Sequence, residues 1–157
     1  PKKGKTHVLR VIRELLYTNP TNSKTSISQA LDYLLKVAKR KCVVFLISDF
    51  LDENYFASLK VVNKKHYLVA IQITDPAELD FPNLGLLKVE DPETKETFWV
   101  DTSSKKIMNS LRKKIAEKQL TFQKEMKKSG VDLVRISTDE DFVDPLMSFF
   151  RLREKRI

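Results

Sequence analysis

Residues 41–56 read KCVVFLISDFLDENYF, and the fold turns on this stretch. Cys42 to Ile47 are apolar without interruption, and then Ser48 and Asp49 stop the run. A short Val/Phe/Leu/Ile run that ends in turn formers suits a strand buried on both faces of a parallel sheet. A carboxylate at the carboxyl end of such a strand has three readings. It could cap a turn or helix, accept a phosphoryl group, or hold a metal ion.

Working outward, the same kind of segment recurs between helical patterns. Upstream, THVLRVIRELLY at 6–17 places Val8, Leu9, Ile12, Leu15 and Leu16 on one helical stripe. The turn-forming segment TNPTNSKTS at 18–26 separates it from ISQALDYLLKVAKRK, whose stripe is Ile27, Leu31, Leu34, Leu35 and Ala38. Downstream, a helix is expected over 53–64 through Tyr55, Phe56, Leu59 and Val62, then a buried strand over 66–73. The segment 85–101 alternates around Pro92-Glu-Thr-Lys95 and predicts a β-hairpin. A long helix over about 103–128 should close at Gly130, which can take the left-handed C-cap conformation. A third core strand is expected at 131–137, then a capping box of Ser137 with Glu140, and a helix with Asp144 at its cap and Pro145 in its first turn. Helices alternating with buried strands predict an α/β sandwich around a mostly parallel sheet.

Composition limits the function classes. With 157 residues, 41% apolar and 32% charged, the chain is globular and sized for one domain. It begins at Pro1 and shows only three buried strands, which suggests that the opening strands lie upstream. No apolar run reaches the roughly 18 residues of a membrane span, and the expected compartment is the cytoplasm. Glycine occurs only at 4, 85 and 130, so neither a dinucleotide-binding nor a P-loop glycine pattern fits in this chain. One cysteine, Cys42, with His7 and His66 cannot close a zinc site. Cys42 reads as a buried, inert thiol and His66 as a structural histidine. The net charge of +8 raises anion or nucleic-acid binding, centred on the basic stretch 105–128 and the tail RLREKRI. Its lysines, however, are interleaved with acids, as on the solvated face of an amphipathic helix.

Carboxylates follow each expected strand: Ser48-Asp49, Thr74-Asp75 and Thr138-Asp139. Ligands in open α/β sheets sit beyond the carboxyl ends of the strands. Each aspartate also has a plain role as a turn or helix cap.

The segments PKKGKTHVLRVIRELL, KTSISQALDYL, VVFLISDFLD, ITDPAELDFPNLGLLKVEDPETKETFWVDTS and STDEDFVDPLMSFFRLR together resemble a bacterial family known as domain of unknown function fifty-eight, which carries a von Willebrand factor A-like domain. The resemblance implies a Rossmann-like three-layer sandwich with a mostly parallel sheet, incomplete at the N-terminus, plus the hairpin at 85–101. Residues 1–157 would be the C-terminal part of one such domain. It further implies a metal-ion-dependent adhesion site on three loops: Asp-x-Ser-x-Ser after the first strand, a threonine before a helix, and an aspartate after a buried strand. Thr25 matches the second element and Asp49 the third. The first is absent, because VDTSSK at 100–105 has Lys105 where the last serine should stand. Asp101 to Ser103 read instead as the cap of the long helix. Thr25 and Asp49 are thus the expected metal ligands of an incomplete site, with Ser48, Asp75 and Glu78 as its rim. Mg²⁺ or Mn²⁺ would bind in the intact parent, and no cofactor is expected in this chain.

The functional expectation is a non-enzymatic protein-interaction module, working with a MoxR-type AAA ATPase in assembly or maturation of other proteins, as the resemblance implies. The alternatives are anion or nucleic-acid binding through 105–128, and a phosphoacceptor role for Asp49 that would need an acidic pair not found in this chain and a later lysine, a part the sequence does not assign to Lys64 or Lys65. A bare edge on the strand 42–47 predicts self-association or an added element that covers it.

Overall fold

The structure is a computed structural model that describes residues 4–18, 25–79, 82–90 and 96–155. Its elements in chain order are α1 (Lys5–Tyr17), α2 (Ile27–Val37), β1 (Val43–Ser48), α3 (Phe56–Lys65), β2 (Tyr67–Thr74), the short α4 (Pro76–Leu79), β3 (Leu86–Glu90), β4 (Thr97–Asp101), α5 (Lys105–Ser129), β5 (Asp132–Ser137) and α6 (Val143–Glu154). Two sheets result. One is parallel with order β1-β2-β5, and the other is the antiparallel pair β3-β4. The Pro92–Lys95 turn and most of the 18–26 segment lie outside the described residues.

β2 is central because its sequence tolerates burial on both sides. Leu68 and Ala70 point to one face, where they meet Ile27 and Leu31 of α2, Leu59 and Val62 of α3, and Met126 of α5. Val69 and Ile71 point to the other, where Val134 and Ile136 of β5 join Leu146 and Phe149 of α6. Each of these side chains larger than alanine contributes about 1.5–3 kcal/mol when fully withdrawn from water, before the entropic cost of ordering. The helices thus divide between the two faces of the sheet, as an α/β architecture requires.

Several sequence expectations need correction. β1 is not buried on both faces. It lies at the sheet edge, and Val43, Phe45 and Ile47 stay exposed while Val44 and Leu46 face the core. α1 forms as its stripe predicts, yet it has no buried residue. α3 starts at Phe56, later than expected, because Asn54 takes the left-handed conformation (φ 62°) and ends the preceding turn. The capping box does not form. The Ser137 hydroxyl bonds the Asp139 carboxylate, the Glu140 N–H donates to the Ser137 carbonyl, and Asp141 accepts from the Val143 N–H at 2.8 Å. Phe142, not Asp144, is the N-cap of α6; Asp141 before it satisfies the first helical N–H, and Asp144 sits in the first turn. At the end of α5, Gly130 takes φ 63° as the pattern requires.

One asparagine joins three elements where α3 ends. The Asn63 side-chain amide donates to the Gly130 carbonyl at 2.8 Å and the Ser129 carbonyl at 3.3 Å. Its carbonyl oxygen accepts from the Leu68 N–H at 3.3 Å. The end of α3, the C-cap of α5 and the start of β2 are held by this one side chain.

Candidate functional site

The parallel strands deliver their carboxyl ends to one edge. β1 ends at Ser48, which is level with Gln72, while β2 and β5 end together at Thr74 and Ser137. Asp49 therefore leaves the sheet two residues before its neighbour does. The loop that follows is shaped from within. The Ser48 hydroxyl accepts from the Phe50 N–H at 3.1 Å and donates to Asp49 at 3.2 Å, and the same Asp49 oxygen accepts from the Leu51 N–H at 3.2 Å. These are the local side-chain-to-backbone bonds that aspartate and serine favour in turns. Asp49 is itself exposed.

Phe50 pins this loop to the core. It holds φ at 61°, a conformation rare for a bulky residue, and it is buried. Its ring lies 5.2 Å from Phe122 and 5.9 Å from Tyr55, and Tyr55 in turn stacks at 4.6 Å on Phe56. The aromatic contacts hold in place a backbone that would otherwise relax. Burial pushes the Tyr55 phenol well above its ordinary pKa, and the carboxylates of Asp52 and Asp49 add to the shift. The phenol thus stays neutral and donates to the Phe50 carbonyl at 3.4 Å.

Thr25 is exposed at the entrance to α2. Ser26 is the N-cap, and its hydroxyl accepts from the Gln29 N–H at 3.4 Å. What ties this entrance to the Asp49 loop is Asp52, which the sequence left without a role. One Asp52 oxygen accepts from the Ile27 N–H at 2.7 Å, and the other from the Glu53 N–H at 2.7 Å. A carboxylate at a helix N-terminus satisfies a free N–H and opposes the helix dipole. Thr25 lies two residues before the donor and Asp49 three before the acceptor, so this bond sets the two loops side by side. No periodicity or spacing signals a contact between residues 27 and 52. A second aspartate inside the turn run SDFLDEN was the only available hint.

Asp75 caps rather than reaches outward. Its carboxylate accepts from the Ala77 N–H at 2.8 Å, and the Glu78 N–H donates to the Asp75 carbonyl at 3.0 Å, closing α4. The segment 75–78 is a tight helical turn at the edge, with Asp75 and Glu78 exposed. Asp101 and Ser103 form a turn of their own, in which Asp101 accepts from the Ser103 N–H at 3.0 Å and from its hydroxyl at 2.5 Å. These bonds hold the Asp101 carboxyl below its usual range. Ser104 is the N-cap of α5, so Asp101–Ser103 shape the approach to that helix and do not cap it.

As a donor set, the Thr25 hydroxyl and the Asp49 carboxylate are hard oxygens of the kind Mg²⁺ or Mn²⁺ takes. Two such donors are too few by themselves for a tight site. Among the described residues no three His, Cys, Asp or Glu side chains converge as a metal cluster. A phosphoacceptor arrangement is poorly served. Lys64 and Lys65 end α3 immediately before β2 starts, at the amino edge of the sheet, opposite the edge that carries Asp49. Lys65 instead donates to the Leu35 carbonyl at 3.4 Å. At that same amino edge Cys42 is only half-buried, and its sulfur lies 3.4 Å from Nδ1 of the fully buried His66. On α5, Lys113 pairs with Glu117 at 4.0 Å and Lys128 with Glu125 at 2.6 Å, as on a solvated face.

The family described as "Protein of unknown function DUF58" matches residues 1–121, and the chain belongs to it. It is similar to an uncharacterized protein of Mycobacterium avium, 24% identical over 139 residues, which are 87% of this chain and 80% of that protein. Uncharacterized proteins of Mycobacterium bovis and Mycobacterium tuberculosis are 21% identical over 159 residues, covering 98% of this chain and 49% of each relative. The chain spans about half the length of these latter relatives. No solved structure matches. No helix among the described residues is long and apolar enough to cross a membrane.

Proposed function

We propose that this chain is a non-enzymatic protein-interaction module with a von Willebrand A-like, Rossmann-like arrangement, and that the carboxyl edge of its parallel sheet is the contact surface. The observation that carries the reading is the Asp52–Ile27 bond at 2.7 Å, which sets the Thr25 loop beside the Asp49 loop. Thr25 and Asp49 would then supply two oxygen ligands to a Mg²⁺ or Mn²⁺ ion. Ser48 shapes the loop, and Asp75 and Glu78 form the rim. Where an upstream strand supplies further ligands, the ion keeps an open position that an acidic residue of a protein partner completes. A MoxR-type AAA ATPase is the partner proposed, in protein assembly or maturation.

Calorimetric titration with Mn²⁺ tests this reading. A chain extended upstream to include an Asp-x-Ser-x-Ser strand should bind Mn²⁺, and Asp49→Ala should abolish the binding while leaving the fold intact by circular dichroism. The 157-residue chain should bind far more weakly. If the extended chain takes up no Mn²⁺ at millimolar concentration, the adhesion-site reading is wrong.

A further inference from the structure

The crossovers of this fold sort charges that the sequence leaves mixed. Because β1, β2 and β5 are parallel, the segments that enter them share the amino edge of the sheet and the segments that leave them share the carboxyl edge. The entering segments are KVAKRK at 36–41, NKK at 63–65 and KEMKKSG at 124–130, which together hold nine lysines and arginines and one acid, Glu125. Asp132, the first residue of β5, is the next acid at that edge. The leaving segments are DFLDEN at 49–54, DPAE at 75–78 and TDEDFVD at 138–144, which hold nine acids and no lysine or arginine. Along the chain the two signs alternate, and in the fold they stand at opposite ends.

All nine cations of the amino edge are exposed. They sit where α2, α3 and α5 end, and α3 packs against both of the other two. With neighbouring helices about 8–10 Å apart, the three clusters form a row roughly 20 Å long. The protein itself engages only two of the nine. Lys65 donates to the Leu35 carbonyl at 3.4 Å, and Lys128 pairs with Glu125 at 2.6 Å. The other seven side chains make no hydrogen bond or ion pair among the described residues. Helix dipoles do not account for this number. Each helix C-terminus presents about half a negative charge, so about two cations would answer all three. The surplus repels itself, and an outside anion relieves that repulsion.

We propose that this row binds the phosphate backbone of a nucleic acid without reading its sequence. Its length matches about six nucleotide steps along one strand of a duplex. Eight of the nine cations are lysines, which hold phosphate as point charges, whereas base edges are read best by planar, bidentate groups. A bilayer surface is a worse match. Interfacial binding adds Trp, Phe or Leu anchors to the cations, and Val37 is the one large exposed hydrophobic in the three segments. The acids of the carboxyl edge repel the same ligand, which fixes the end of the domain that meets it. A strand added beside β1 would extend the amino edge sideways rather than cover the row, whose clusters lie at the ends of three helices.

Fluorescence anisotropy with a labelled DNA duplex of random sequence tests the row, and EDTA in the buffer keeps the result independent of the cation reading for Asp49. The 157-residue chain should bind with a micromolar Kd at about 50 mM salt, and with about five phosphates neutralised the affinity should fall roughly 500-fold by about 200 mM. Lys39→Glu, Lys64→Glu and Lys124→Glu, one in each cluster, should each weaken binding about tenfold and lower the salt slope. These side chains are exposed and unpartnered among the described residues, so circular dichroism should be unchanged. Lys106→Glu, the same charge change at the other end of α5, should cost less than about twofold. A chain extended upstream should bind alike. Failure of either chain to bind at roughly 100 µM overturns the proposal. So does a loss in Lys106→Glu equal to that of the row variants, because net charge alone would then explain the binding. A preference for phosphatidylserine vesicles over the duplex also overturns it and gives the row to a membrane surface.

Discussion

Ile47 and Ile71 are the same residue, on neighbouring strands, paired in register and pointing to the same face of the sheet. Ile47 is 62% exposed and Ile71 is 6% exposed. Nothing in the local sequence separates them, since CVVFLIS and YLVAIQI are equally apolar runs. What separates them is position. β2 lies between two strands and beneath α6, whose Leu146 and Phe149 pack on the cluster that holds Ile71, whereas over β1 the same helix brings Phe150 to Phe45 and leaves Ile47 exposed. Apolar character says that a strand is suited to burial, but the sheet order decides whether burial happens.

The sharpest way to break this comparison is to shorten both residues. Ile71→Ala should destabilise by about 2–5 kcal/mol in urea unfolding, because it opens a cavity among packed neighbours. Ile47→Ala should cost under about 0.5 kcal/mol in dilute solution, as exposed positions do. Equal costs at low concentration would mean that β1 is covered on its outer face.

A smaller effect is expected where the central strand begins. Asn63→Ala leaves the Leu68 N–H and the Ser129 and Gly130 carbonyls without this partner, and it should cost about 1–3 kcal/mol. Asn63 makes none of these bonds to β1, so hydrogen exchange should show the amides at the start of β2 losing protection in the variant and those of β1 changing little. Uniform loss across both strands would contradict this division.

The smallest effect concerns the loop beyond β1. Tyr55 in the folded chain resists ionisation, while in the unfolded chain it titrates near 10.0. A phenol whose folded pKa is raised contributes its stability fully below the unfolded value, and that contribution is lost as pH rises from there toward the folded value. Stability should therefore decline above pH 10, and Tyr55→Phe should remove part of that decline. An unchanged alkaline profile in Tyr55→Phe would show that the phenol titrates alike in both states.

The comparison also explains what could be read from the sequence. Strands β1, β2 and β5, the hairpin, and the long α5 with its Gly130 cap were legible, because each rests on a local period or a turn residue. The exposure of β1 was not, since edge and centre differ only in what lies beside them. Asp49 was legible as a residue at a strand end, but Asp52 was not. The bond from Asp52 to Ile27 spans 25 positions, and no local rule connects them. Ser137 and Glu140 failed as a capping box for a related reason. Asp139, only two residues on, takes the Ser137 hydroxyl, and the Glu140 N–H turns to the Ser137 carbonyl instead.

Thr102 carries a consequence for how this domain varies. It is buried, its hydroxyl accepts from the Leu84 N–H at 3.0 Å and donates to the Gly85 carbonyl at 2.7 Å, and its own N–H donates to that carbonyl at 2.8 Å. The chain thus enters and leaves the β3-β4 hairpin through a single clasp. Whatever is strung between Gly85 and Thr102 does not alter the distance the rest of the backbone must span. The hairpin is therefore a pendant that can be lengthened, shortened or exchanged for another insert, with the clasp kept, while the parallel sheet behind it retains its register.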